Sequence, residues 1–413
     1  MTTSTQAAPY AGGLTRRQVT AWRNALFVIF ATCGLGMASW AARLPSVRDR
    51  LHASTFDMGL LIFAISLGSI GGLLASSHLV SRLGVRRTIQ WCFAIAPVGY
   101  AVGGVGVALG SFPLIFAGLI VFGTGFSICD VAMNLSGAAN ERVLRRTIMP
   151  VYHALFSGGT MIGALLGFAA ESLHIPVAVH IITIAVIMMI AVQVAVRSLQ
   201  SEHLVDGEDV ATTDDADHGT WRDRLAIWRD PRTLLIGLIV LGMAFAEGSA
   251  NDWLPIASVD GHDLSKPAGA LVFGVFVTAM TAGRLGGVFV LDRFGRVPVL
   301  RASAALAAVG IAMFVFIPNP AIATIGVVFW GLGASLGFPV GMSAAADDPK
   351  VAAARVSAVA TIGYCAFLIG PPVIGWLGEH VGILNALLVV LVLVVISGLA
   401  SGAAREPKRT PAP

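Results

Sequence analysis

Apolar residues gather along this chain into blocks of about 20, and a helix rising 1.5 Å per residue needs that length to cross roughly 30 Å of hydrocarbon. Loops bearing glycine, proline or charge separate the blocks. The pattern predicts twelve helices, over 22–43, 56–80, 88–109, 113–138, 150–172, 175–197, 233–256, 267–291, 297–317, 320–345, 352–377 and 382–402. Short loops make consecutive helices antiparallel. A transmembrane barrel would instead show ten-residue segments of alternating polarity, and none is found. The first block is too long for a signal-peptide core and reads as a retained helix.

Composition agrees with the pattern. Hydrophobic residues are 56% of the 413 positions and charged residues 12%, so most of the chain must face lipid. The basic residues then orient it. With the N-terminus inside, Arg16, Arg17, Arg82, Arg86, Arg87, Arg142, Arg145, Arg146, Arg293 and Arg296 all fall on cytoplasmic segments. Only Arg43, Arg48, Arg50 and Lys266 fall outside, with Arg284 within a helix. That asymmetry predicts that both termini are cytoplasmic; the membrane expected is a bacterial inner membrane. The pI near 9.1 therefore reports topology and does not argue for nucleic acid. Cys33, Cys92, Cys129 and Cys365 lie in predicted helices at no metal-ligand spacing and read as buried packing residues. No metal or cofactor is expected.

A stretch over 198–232 interrupts the apolar pattern with Asp206, Glu208, Asp209, Asp214, Asp215 and Asp217, and reads as a flexible cytoplasmic linker. At its far end Trp221, Leu225 and Trp228 share one helical face, away from Arg222, Arg224, Arg229 and Arg232, as in a helix lying on the inner leaflet. The linker divides the chain into an N-terminal six-helix bundle, 1–197, and a C-terminal bundle with a short tail, 233–413. The two repeat each other at an offset of about 208 residues. Ser81-Arg82-Leu83-Gly84 matches Asp292-Arg293-Phe294-Gly295, Gly123-Thr124-Gly125 matches Gly331-Leu332-Gly333, Leu44-Pro45 matches Leu254-Pro255, and Glu171 matches Glu379. Repeated halves of this kind commonly hold a midplane site between them and rock about it.

Asp292-Arg293-Phe294-Gly295-Arg296, between the eighth and ninth helices, resembles the signature loop of the major facilitator superfamily, and Ser81-Arg82-Leu83-Gly84-Val85-Arg86-Arg87 is similar to its degenerate first-half copy. The resemblance implies two pseudo-symmetric six-helix bundles, an all-α membrane fold. It also implies a gating charge relay at Arg82, Gly84, Arg86, Asp292, Arg293, Gly295 and Arg296. Ser81 replaces the usual aspartate, so only the second copy retains the carboxylate. Asp130-Val131-Ala132-Met133-Asn134 resembles the acid-x-x-x-Asn signature of the fucose-permease group. Trp40-Ala41-Ala42-Arg43-Leu44-Pro45 and Glu247-Gly248-Ser249-Ala250-Asn251-Asp252-Trp253 look like segments of the YbjJ-type inner-membrane proteins.

An ionised carboxylate at a helix centre costs at least about 2.5–3.5 kcal/mol, so intramembrane acids need reasons. Asp130 lies roughly 26 Å along the fourth helix from its outer end, and Glu247 roughly 21 Å along the seventh from its inner end. The resemblance implies that both helices line a central cavity. An acid that gains and loses a proton as access alternates couples transport to the proton gradient, whereas one permanently paired with arginine is structural. Asn134 and Asn251 each lie one turn from an acid, with amides that suit hydroxyl-rich or zwitterionic solutes or else glue helices.

Asp252, Trp253 and Trp40 lie near outer helix ends, where tryptophan either anchors at the interface or stacks on solute. Arg43 either attracts an anionic group or pairs with Asp57 or Asp252. Arg284, about 12 Å inside its helix, must pair, line water or snorkel. His153 is a candidate proton relay or a packing histidine. Gly68, Gly71, Gly72, Gly158, Gly159, Gly163 and Gly167 permit close helix contact.

These residues favour a proton-coupled symporter for a small polar solute in the lipid bilayer, and a monomer is the expected form. The alternative is a proton-antiporting exporter of drugs or metabolites, but such exporters usually carry an arginine in the fourth helix and Gly-Pro in the fifth; Gly370-Pro371-Pro372 lies instead on the eleventh. No metal spacing, nucleotide loop or nucleophile elbow suggests an enzyme.

Overall fold

Proline at the first turn, where its missing N–H costs no hydrogen bond, opens helix after helix in this chain. The computed structural model describes residues 13–146, 148–200, 227–348 and 351–406. Its first helices are α1 (Arg16–Ala41), α2 (Leu44–Leu51), α3 (Thr55–Leu109), α4 (Phe112–Leu144), α5 (Met149–Ser172) and α6 (Val177–Ala195). The second series comprises α7 (Pro231–His262), α8 (Lys266–Phe294), α9 (Arg296–Phe316), α10 (Pro320–Ala334), α11 (Gly337–Ala345), α12 (Ala352–Val381), α13 (Ile383–Ala386) and α14 (Leu388–Ala400). Pro45, Pro113, Pro231, Pro267 and Pro320 stand at such first turns. Asp230, Ser265 and Asn319 cap α7, α8 and α10 with their side-chain oxygens. No strand occurs among the described residues.

Eleven stretches of the described residues are long and apolar enough to cross a membrane. One of them, α3, has 55 residues, or about 80 Å at 1.5 Å per residue, far more than one crossing needs. It holds a non-helical residue, Gly84, with φ 73° and ψ 159°. The predicted spans 56–80 and 88–109 lie on either side of it. Large apolar side chains such as Leu74 (79% exposed), Phe289 (78%) and Leu399 (79%) turn outward, which suits a lipid environment. Most of the linker, including Trp221 and Leu225 of the expected interfacial helix, lies outside the described residues. Trp228 is described and exposed.

The chain forms two compact units. One comprises Met1–Ser39, Ala64–Gly163 and Pro176–His218; the other comprises Trp40–Phe63, Ala164–Ile175 and Gly219–Pro413. This division differs from a single cut in the linker, because the segments around α2 and at the end of α5 group with the second series of helices. In the first unit, backbone contacts need glycine: a Cβ at Gly159 would overlap the Ala31 carbonyl of α1, and one at Gly68 the Ile120 carbonyl of α4. Buried polar groups lock the same unit. Trp22 Nε1 donates to Ser136 Oγ (2.9 Å), Tyr100 to the Gly36 carbonyl (2.9 Å) and Tyr152 to Asn140 Oδ1 (2.7 Å).

In the second unit α7 is the most enclosed helix, packed against α12, α14, α8 and α11. Trp330 Nε1 on α10 donates to the Ala246 carbonyl (3.0 Å). Ser397 on α14 donates to the Leu238 carbonyl (3.1 Å).

Candidate functional site

Helix α4 positions Asp130 and Asn134 one turn apart in the first unit, both partly exposed. Asn134 Nδ2 donates to the Asp130 carbonyl at 2.8 Å and reaches its Oδ1 at 3.4 Å. Among the described residues Asp130 has no cationic partner. His153 on α5 is exposed, with its ring edge-on to Phe30 at 5.4 Å between centroids.

Glu247 in the second unit differs. Arg284 Nη2 on α8 donates to both of its oxygens at 2.8 Å, so of the options open to Arg284 the structure takes pairing. Arg284 Nε also points to the Ser335 carbonyl at 3.4 Å, where the chain passes from α10 to α11. Asn251 and Asp252, on the next turn of α7, are partly exposed. Trp253 is fully buried; its ring lies against Gly375, where a side chain would crowd it. Trp40 is buried as well, 3% exposed. Neither tryptophan is an interfacial anchor, because both enter the protein interior.

Arg43 pairs, but not with Asp57 or Asp252. Its Nε lies 3.1 Å from Glu171 Oε1, and its Nη2 donates to the Ile175 carbonyl at 2.6 Å. Asp57 is engaged elsewhere, in a capping box at the start of α3: it accepts from the Ser54 amide and hydroxyl at 3.0 Å, and its amide donates to Ser54 Oγ, the cap, at 3.1 Å. Around α2 lies a charge cluster that sequence reasoning did not assemble. Arg48 pairs with Asp260 and, at 2.8 Å, with Asp49; Lys266 holds Asp49 at 2.7 Å. Burial alone pushes the Asp49 carboxyl up, but hydrogen bonds from Lys266 and Arg48 outweigh it and hold the group below the usual carboxylate range. Glu379 Oε2 accepts the Thr55 amide at 2.9 Å.

The two signature loops share one backbone feature. Gly84 has φ 73° and ψ 159°, and Gly295 has φ 74° and ψ 171°, a region essentially reserved for glycine. Thr88 Oγ1 donates to the Gly84 carbonyl at 2.9 Å. The charges are arranged otherwise than expected. Asp292 and Arg293 are exposed, Arg293 over the Phe294 ring at 5.5 Å, and Asp292 has no ion-pair partner among the described residues. Arg296 instead pairs with Asp347 at 2.7 Å and donates to Ser343 Oγ at 2.9 Å. Arg232 takes the other oxygen of Asp347 at 3.0 Å. In the first loop Arg82 is exposed, and Arg86 Nη2 reaches the Arg197 carbonyl at 3.4 Å. Asp347 was missed because it sits in a loop, where an acid costs little and attracts no notice.

Long apolar helices with a few paired and unpaired charges at their centres define a multi-pass membrane transporter, a class with a small-molecule substrate and no enzymatic step. The chain belongs to the Major Facilitator Superfamily, whose profile matches residues 25–366 and 262–413. An uncharacterized MFS-type transporter of Yersinia pestis is 29% identical over 354 residues, covering 85% of this chain and 87% of that protein. Among solved structures, a bacterial homolog of the human lysosomal transporter Spinster, inward-facing and unoccupied, gives a TM-score of 0.75 at 13% identity, covering 96% of this chain and 100% of that one. A single-residue variant of the Escherichia coli fucose:proton symporter gives 0.63 at 16% identity, covering 93% and 98%. At these identities the likeness to the two structures is one of fold.

Proposed function

We propose that this protein is a secondary transporter of the bacterial inner membrane that moves a small polar solute by alternating access, in symport with protons. The observation that carries the reading is the contrast between its two central acids. Glu247 already has a permanent cation beside it in Arg284, whose Nη2 donates to both of its oxygens. Asp130 has only the Asn134 amide. An uncompensated acid at that depth is the one whose charge changes most readily between an open and a closed environment, so Asp130 is the proton site.

Counting α3 as two crossings separated at Gly84 supports twelve spans, in two bundles joined by the 198–232 linker. An even number returns both termini to one side, and the arginine distribution makes that side the cytoplasm. The α2 end is then the outer face, closed over by the Arg48, Asp260, Asp49 and Lys266 cluster. The protein acts as a monomer, with protons and lipid as its other partners.

The test is uptake in proteoliposomes of a solute first identified by thermal stabilisation of the purified protein. An acid-outside gradient should drive accumulation, and a protonophore should abolish it. Accumulation indifferent to both would contradict the proposal.

A further inference from the structure

We infer that Arg284 and Glu247 form the solute's docking dipole, and that the solute is a small zwitterion whose carboxylate meets Arg284 and whose ammonium meets Glu247. The inference deepens the symport reading and rests on it. A guanidinium carries five N–H donors in a planar fork, and a purely structural pair with a carboxylate usually engages two of its nitrogens at once. Here the fork is not used in that way. A single nitrogen, Nη2, serves both Glu247 oxygens at 2.8 Å, Nε is spent on the Ser335 carbonyl at 3.4 Å, and Nη1 meets no acceptor among the described residues. The Arg284 side chain is 37% exposed while that of Glu247 is 17% exposed, so the open donors can be reached by a solute.

Chemistry then narrows the class. Arg284 offers only donors and a fixed positive charge, so its open edge selects an anionic oxygen. A simple anion would also face the neighbouring Glu247 carboxylate and be repelled. Glu247 has spare lone pairs beyond the one donor each oxygen receives, and a cationic donor on the same solute turns that repulsion into attraction. The site and the solute both stay net neutral, which leaves the coupling proton to Asp130. Asn251, one turn along α7 and with no side-chain hydrogen bond among the described residues, supplies an amide for a hydroxyl or carbonyl on the same solute. The platform is rigid. Trp330 ties down the Ala246 carbonyl on one side of Glu247, and the Phe367 ring fills the space beside Gly248 on the other.

The experiment is a thermal-shift panel on the purified full-length protein. Each amino acid is compared with the amine that lacks its carboxylate and the acid that lacks its amine. At least one zwitterion should raise Tm, with both counterparts giving a clearly smaller rise. The double variant Arg284→Gln/Glu247→Gln, which leaves no lone buried charge behind, should lose the rise while keeping its ligand-free Tm near the parent's. If that variant does not fold, Arg284→Lys carries the test: it keeps the charge but not the fork, and should weaken the apparent affinity roughly tenfold. A panel in which no zwitterion stabilises overturns the inference, as does equal stabilisation by the amine or the acid, or a rise that survives in the variants. A neutral polyol that stabilises and is accumulated under a pH gradient would also overturn it while leaving proton symport standing.

Discussion

Arg43 and Glu171 show how charge is kept in this interior. Their side chains are 3% and 7% exposed, so each depends on the other. Removing one partner from such a pair typically costs about 3–5 kcal/mol, because a bare charge is left behind, while replacing both with apolar groups of similar volume is close to neutral. Arg43→Met should therefore lower Tm sharply, and Arg43→Met/Glu171→Leu should recover most of the loss. A double variant no more stable than the single one would mean that Arg43 acts through its hydrogen bond to the Ile175 carbonyl instead. The sequence marked Arg43 as a charge in need of a partner, since it breaks the positive-inside pattern. It did not name the partner, because hydropathy says nothing about which helix lies beside which over a separation of more than a hundred positions. Glu171 was visible only as a match to Glu379 in the internal repeat.

At the scale of elements, apolar length carried the helices and glycine chemistry carried the loops. Ten predicted spans each fall within or close to one helix, while 320–345 covers α10 and α11 and 382–402 covers α13 and α14; nothing but helix or closed barrel satisfies backbone groups in lipid. The turn inside α3 was legible as well: Arg82, Arg86 and Arg87 flank Gly84 and part the predicted spans 56–80 and 88–109, although helix runs up to Gly84 on both sides and only its backbone angles break it. Gly84→Ala and Gly295→Ala should each destabilise by about 1–3 kcal/mol, because a Cβ is strained at φ near +74°. Gly71→Ala, where the added atom meets open space, should be neutral or slightly stabilising. Equal Tm losses at all three positions would refute the shared-loop reading.

The charge cluster around α2 gives a pH dependence with a definite sign. A carboxylate held below its free value stabilises the fold above about pH 4 and loses that contribution as pH falls through its folded value. The Tm gap between the parent and Asp49→Asn should thus be constant from neutral pH down to about pH 5 and close below about pH 4. A gap that is flat or widens in acid would show that Asp49 is not stabilised by Lys266 and Arg48.

For the whole molecule, the motifs of the proposed repeat could be read in the sequence, while the difference in pairing between its central acids could not. Asp130 and Glu247 look alike in sequence, each with an asparagine one turn away, and they part only when Arg284 is seen to fall beside Glu247. Their inequality is the basis of the coupling scheme, and the substitution Asp130→Asn tests it most directly. It keeps size and hydrogen-bonding capacity but fixes the neutral form, so loaded and empty carriers no longer differ in protonation. In proteoliposomes this variant should exchange labelled solute at equal internal and external pH at a rate close to the parent's, yet fail to accumulate it under an acid-outside gradient. Accumulation by Asp130→Asn as strong as the parent's would contradict the account and move the coupling site elsewhere.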